Sequence, residues 1–342
     1  MSKIFGKLPS GERLQKIQRS PNYKNGAFNN LSPTPVMAED SSFWKTLRSY
    51  LNKPRNTSPP ITLPSVITNL QTLPADKTVI VWFGHSSYLF SVNGIKILVD
   101  PVFSGNAAPV SFMVKAYPGS NVYATEDFPD IDLLIQTHDH YDHLDYISAG
   151  KLQPKIKKIA TALGVGSHFE HWGFDKNIIT EFDWWDKKTI LPGIELTAAP
   201  ARHFSGRGIK RGKTLWTSFV LKTATHIIYI GGDSGYDDHF KEIGRQYGPF
   251  DIAILESGQY NAHWPHIHMM PEETVQAAAD LKAKVLLPVH WGKFTLGLHP
   301  WNEPVKRVLK KATELNVKVT TPLIGEQVIL NSVYPAAHWW EL

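Results

Sequence analysis

Cysteine is absent from all 342 residues. That absence excludes disulfides, cysteine-ligated zinc, iron–sulfur clusters and thiol catalysis together. Any metal must be held by His, Asp or Glu, and fifteen histidines leave ample material for such a site. Long apolar runs are also missing. No stretch approaches the roughly 20 apolar residues that a spanning helix needs. The opening "MSKIFGKLPSGERLQK" has no apolar core of the signal-peptide kind. A soluble, cytoplasmic protein is the expectation. The chain has no G-x-S-x-G elbow, so a serine nucleophile of that type is not expected. Repeats of short fixed period and low-complexity tracts are lacking too. What remains is 42% apolar and 20% charged, ordinary for a globular chain long enough to bury a sizeable core.

Charge is uneven along the chain. Residues 1–60 hold ten Lys and Arg against three Asp and Glu, so +7, which leaves −2 for the rest of a chain whose net is +5. Such an arm suits phosphate contact or, more simply, a solvated extension wrapped on the domain. Residues 1–75 read as an irregular basic extension packed on the core, with one short helical candidate, "SSFWKTLRSYL". From residue 76 to 342 the texture is that of a folded domain. The runs "TVIVWFG", "SSYLFSV" and "IKILVD" read as strands, the last two joined by the hairpin signal Asn93-Gly94. "IDLLIQT", "IKKIAT", "IELTAAPA", "SFVLKT", "HIIYIGG", "DIAILES", "KVLLPV" and "QVIL" follow, with helices at "PEETVQAAADLKA" and "EPVKRVLKKATEL". Two batches of strands with interleaved helices predict a layered α/β sandwich.

The chemistry concentrates at "THDHYDH", residues 137–143. His138 and His140 stand two apart, and Asp142 and His143 follow, enough to begin two adjacent metal sites. Further ligand types end other apolar runs: His203 after "IELTAAPAR", Asp233 after "HIIYIGG" and His290 after "KVLLPV". Strand ends are rigid mounts, so a site assembled from several of them is preorganised. Asp100 ends "ILVD" as well. Metal-bound histidines pass their second N–H to a carboxylate or carbonyl, which makes Asp100 and Asp145 candidates for that support. His85 in "GHSS" has room to lie near the site but reads first as a hydrogen-bonded structural residue, and Asp139, His263, His266 and His299 are given no role.

"THDHYDHLD" resembles the signature of the metallo-β-lactamase superfamily. The chain is more narrowly similar to its N-acyl phosphatidylethanolamine-hydrolysing phospholipase D branch. "WFGHSSYLF", "ILVDPVFS", "PARHFSGRG", "GGDSGY", "MMPEETV" and "VHWGKFTLGLHPWNEP" carry that likeness across roughly Tyr23 to Gln327. The resemblance implies an αββα sandwich of two mixed β-sheets flanked by helices, with two divalent metal ions at one edge. It places His138, His140 and His203 on one ion, Asp142, His143 and His290 on the other, and Asp233 between them. It also points to Tyr141 and His268 as phosphate contacts, against plainer readings as a packed ring and a helix cap. Asp233 and Asp142 would be catalytic through the metals they hold. Zinc is the expected metal, and the same ligands accept iron or manganese. The β-lactamases proper use a cysteine at the second metal, which this chain lacks.

The implied function is a metal-dependent phosphodiesterase of phospholipase D type, using a metal-bridging hydroxide on N-acyl phosphatidylethanolamine-like lipids. The alternatives are a sugar-phosphate lactonase, like ascorbate-6-phosphate lactonase, and a metal-binding protein without turnover. A ribonuclease Z-like nuclease is disfavoured, because the basic residues are scattered rather than interleaved with aromatics. The expected partner is a phosphodiester or phospholipid, with room for peripheral membrane contact, no nucleic acid, and a monomer or homodimer. The apolar loop "AAPVSFMVKAYPG", residues 107–119, reads equally as a lid or membrane-touching edge and as buried packing.

Overall fold

The computed structural model describes residues 3–38, 48 and 52–342. The helical candidate at residues 41–51 therefore lies outside the described residues, apart from residue 48. Asn93 and Gly94 both take positive φ, 49° and 81°, the conformation of a tight hairpin turn. They join β4 (Tyr88–Val92) to β5 (Ile95–Val99), pairing Val92 with Ile95. β3 (Val79–Trp82) and β15 (Gln327–Ile329) extend this sheet antiparallel on one side. β6 (Leu133–Gln136), β7 (Ile159–Ala162) and β8 (Ile179–Phe182) extend it parallel on the other. The second sheet runs β14 (Leu286–Val289), β13 (Ile252–Glu256), β12 (Ile227–Ile230), β11 (Ser218–Lys222), β10 (Ile194–Ala199) and β9 (Lys187–Leu191). Both sheets are mixed.

Three apolar layers show how the elements stack. Ile80, Phe90 and Ile135 of one sheet meet Leu196, Phe219 and Ile254 of the other in the central layer. Val81, Leu98 and Leu134 pack outward against Ala149 and Phe169 of the helices Tyr146–Leu152 and Gly166–His171. On the far side Tyr229 and Leu255 pack against Phe240, Val275 and Val308 of the helices His239–Tyr247, Pro271–Asp280 and Glu303–Leu315. The architecture is the expected αββα sandwich. In the two large sheets, β8 and β9 are the strands that apolar pattern did not reveal. Each sits at a sheet edge with a mostly half-exposed face, where polar residues are tolerated and the apolar signal fades.

The N-terminal segment is tied to this frame over long sequence distances. Arg13 forms paired hydrogen bonds to both Glu170 and Glu181. A short hairpin, β1 (Tyr23–Lys24) with β2 (Ala27–Phe28), leads into an extended stretch held by Arg202 and His203.

Candidate metal centre

The apolar strands end at one edge of the sandwich, and the ligand-type side chains follow those ends. β6 delivers His138, β10 His203, β12 Asp233 and β14 His290. The turn after β12 brings Gly232, with φ 61°, so close to Thr137 that a Cβ would stand 3.0 Å from the Thr137 Cβ. Only a glycine lets Asp233 swing in there without displacing its neighbour. His85, Asp100 and His290 also take positive φ, at 52°, 41° and 68°. Strain of this kind, about 1–3 kcal/mol per residue, gathers where geometry serves function.

Two four-residue clusters result, each with its ligand atoms within 4.8 Å of one another: His138, His140, His203 and Asp233, and His85, Asp142, His143 and His290. Hydrogen bonds behind the rings fix which nitrogen faces the cluster. His143 Nδ1 donates to Asp100 Oδ2 at 2.7 Å, and His203 Nδ1 to the Ile267 carbonyl at 2.8 Å. Thr137 Oγ1 donates to Asp100 Oδ2 and so offers a lone pair to His138 Nδ1 at 3.0 Å. The forward Nε2 atoms of these three rings are therefore bare lone pairs. In that neutral tautomer His143 Nε2 would face Asp233 Oδ1 at 3.0 Å as acceptor to acceptor, so the ring needs either a second proton or a cation there. His138 Nε2 and His203 Nε2 both lie 3.1 Å from His140 Nδ1, and one proton cannot serve both. His143 Nε2, Asp233 Oδ1 and His290 Nε2 are buried without a hydrogen-bond partner. Buried polar atoms are normally satisfied. A pair of cations satisfies all of these, so the residues fit a dinuclear metal centre.

Electrostatics agree. Burial pushes His138, His203 and His290 well below the ordinary imidazole range, keeping them neutral as ligands. Burial also acts to lower His143, but the Asp233 and Asp142 carboxylates outweigh it and raise that ring. Burial raises Asp233 to about 6 despite His143 beside it. Both results mark a spot that favours added positive charge.

Every ligand-type residue named from sequence lies in these clusters, and the supporting residues divide. Asp100 takes hydrogen bonds from His143, from Thr137 N and Oγ1, and from Gln136. Asp145 is a correction. It touches no site histidine, and instead caps the helix Tyr146–Leu152, taking Ile147 N and Ser148 Oγ while also holding Ser104 N. An Asp just ahead of a helix answers the free backbone N–H groups there before it answers a ring. Tyr141 donates its hydroxyl to the Arg207 carbonyl at 2.7 Å and carries the Arg207 guanidinium over its ring, so it opens on the cleft as a braced residue. His268 does not cap its helix, since Glu273 accepts from Met270 N there. Its Nδ1 donates to Glu256 Oε2 at 2.7 Å, and its ring stacks on His290.

Three residues were missed. His85, read first as a hydrogen-bonded structural residue with a place near the site left open, is fully buried, donates from Nε2 to Asp142 Oδ2 at 2.9 Å and belongs to the second cluster. Glu256 joins Asp233, His268 and His290 in a third group of convergent ligand atoms. It ends β13, so the strand-end signal that found the others pointed to it too. Asp139, left without a role, is buried and braces the loop by accepting from Gly206 N, Thr214 Oγ1 and His168.

Comparison with known proteins settles the family. A family model described as the beta-lactamase superfamily domain matches residues 96–291. The chain belongs to the metallo-β-lactamase superfamily. It is 37% identical over 332 residues to an uncharacterized protein of Mycobacterium tuberculosis, covering 95% of this chain and 88% of that one. It is 31% identical over 229 residues to an N-acyl-phosphatidylethanolamine-hydrolyzing phospholipase D of Caenorhabditis elegans, covering 63% and 64%. Among solved structures it resembles Igni18, a metallo hydrolase of the archaeon Ignicoccus hospitalis, with TM-score 0.57 and 21% identity over 75% of this chain and all of that one. As a metallo-β-lactamase-superfamily chain with both ligand clusters complete, it has the active site of a metal-dependent hydrolase.

Proposed function

We propose that this metallo-β-lactamase-superfamily enzyme hydrolyses phosphodiesters. N-acyl phosphatidylethanolamine-like phospholipids would be its substrates, cut on the head-group side to leave phosphatidic acid. The observation that carries the reading is the placement of His268 beside the paired clusters. Its Nδ1 is committed to Glu256, and its ring packs 5.1 Å from His203 and 5.3 Å from His290. Nε2 is thus left to meet a substrate oxygen. The similarity to the nematode phospholipase D supports the substrate class.

Bound metals, zinc being the expected ones, would lower the pKa of water to about 7 and offset charge on the non-bridging oxygens. The protein supplies everything else. His138, His140 and His203 would hold one ion and Asp142, His143 and His290 the other, with Asp233 between. Asp100 keeps His143 in the tautomer that presents Nε2. His268 Nε2 orients a phosphate oxygen, and the Tyr141–Arg207 pair walls the cleft beside Asp142. No described helix is long and apolar enough to cross a membrane. A lipid would therefore be met at a bilayer surface, for which the exposed Phe112, Met113 and Ile209 are suited. Of the loop at residues 107–119, Ala107, Ala108 and Tyr117 are buried, while Val110 to Met113, Lys115 and Pro118 are exposed.

The test is turnover of bis-p-nitrophenyl phosphate and N-acyl phosphatidylethanolamine by metal-loaded protein, with phosphatidic acid identified as product. His268→Ala should keep both metals and lose about 10–1000-fold in turnover, as expected for a donor to transition-state oxygens. Loss of metal in that variant would make His268 a ligand. Cleavage of sugar-phosphate lactones with no phosphodiester cut would replace this function with a lactonase.

A further inference from the structure

The stretch "AFNNLSPTPV", residues 27–36, carries no charge and two prolines, so it stays extended and unhelical. It lies as a strap along the loop that carries His203. Phe28 N donates to the Gly212 carbonyl at 2.8 Å. The Asn30 carboxamide pairs with both backbone groups of His203, at 2.8 and 3.0 Å, and accepts from the Trp216 indole at 3.1 Å. Arg202 grips the Pro33 carbonyl and Thr34 Oγ1, each at 3.0 Å.

Between strap and loop lies a cavity of about 480 Å³. Phe28, Leu31, Pro33 and Val36 wall one side, Phe204 and Trp216 the other; the lining holds no carboxylate and a single guanidinium, Arg211. A second cavity, also about 480 Å³, opens over His140, Tyr141 and Asp142 and shares Phe204 and Arg211 with the first. The Arg211 guanidinium stands 5.0 Å over the Phe204 ring where the two meet, and no described carboxylate forms an ion pair with it.

We propose that the strap-walled chamber is a subsite for an apolar chain attached to the reacting phosphate, with Arg211 at the junction pairing with that phosphate. Walls of mixed polarity whose larger share is apolar, with Phe28, Leu31, Phe204 and Trp216 beside one cation and joined to the metal cleft, suit an amphiphilic monoanion: its charge stays at the junction and its chain leaves along the strap. The inference rests on the phosphodiester reading and deepens it.

Metal-loaded full-length enzyme is assayed with p-nitrophenyl alkyl phosphates from methyl to octyl. The expected result is kcat/KM rising roughly twofold per methylene, within the gain that burying each CH₂ allows. Leu31→Asp and Val36→Asp, both at least partly exposed, should each cut the octyl-to-methyl ratio at least tenfold with the melting temperature held. Arg211→Gln should lower the whole series by about tenfold without changing its slope. A flat wild-type series, or an undiminished slope in both aspartate variants, overturns the subsite. If no phosphate ester is cut at all, the phosphodiester reading fails on its own, and calorimetric binding of decyl against methyl phosphate decides the subsite. Tighter decyl binding in wild type that Leu31→Asp removes sustains it, and equal affinities overturn it.

Discussion

The two halves of the metal centre use the same residue types but are anchored in different ways. Behind His138 and His203 stand uncharged partners, the Thr137 hydroxyl and the Ile267 carbonyl. The backbone of His203 is held in turn by Asn30 of the N-terminal strap. Behind His143 stands a carboxylate, Asp100, and Asp142 is held by His85. A carbonyl fixes the direction of a ring, whereas a carboxylate also makes its forward nitrogen more basic. One half is thus a cradle set by geometry and supported from outside the matched family domain. The other is set by charge, from Asp100 within that domain and from His85 just ahead of it.

The largest effect comes from removing what the halves share. Asp233 approaches His138 and His203 through Oδ2 and His143 and His290 through Oδ1. Asp233→Asn should lower metal content at both positions and reduce hydrolysis by at least about 10³-fold, the scale of losing a group central to transition-state electrostatics. Normal turnover with a single ion, measured by metal analysis alongside the assay, would end the dinuclear reading. Asp100→Asn separates the halves. It should weaken the ion on His143 by about 10–100-fold and the other by less, because Asp100 Oδ2 also takes the Thr137 hydroxyl that supports His138, so the two steps of a chelator titration move apart. Equal weakening of both ions would dissolve the distinction.

Asn30→Ala probes the geometric half from far away. Losing both hydrogen bonds to His203 should cost about 1–3 kcal/mol of stability, read as a lower urea midpoint, and shift the other ion severalfold. Acid, by contrast, treats the halves alike. Burial lowers His140 in one half, His85 in the other and His239 outside both to about 4. Unfolded, each takes up a proton near 6.5, so between those values the unfolded chain binds more protons. The contribution of these three rings is complete above about 6.5 and falls as pH drops toward 4, by up to about 1.4 kcal/mol per unit for each group. A urea midpoint at pH 5 no lower than that at pH 7.5 would contradict this.

Legibility in the sequence followed chain locality. His138, His140, Asp142 and His143 announce themselves because they sit within six residues, and the strands because their apolar runs are continuous. His85 and Asp145 were misjudged for one reason: neighbours in space, not in sequence, decide what each of them holds. His85 pairs with Asp142 across 57 positions, while Asp145 lies beside the cluster in sequence but faces a helix. The strap was illegible because its role rests on backbone contacts, such as Asn30 to His203 across 173 positions. No composition rule reports a contact of that kind.

Both ligand clusters draw on both sheets. His138, His140, Asp142 and His143 follow a strand of one sheet, and His85 follows another of the same sheet. His203, Asp233 and His290 follow strands of the other. Ions held there act as rivets through the seam of the sandwich, bound by the folded chain and not by the open one. By mass action they would stabilise the fold by an amount that grows with the logarithm of free metal. Stripping the metal should then open the seam as well as silence the chemistry, so that one chelation step loosens the fold and stops turnover together.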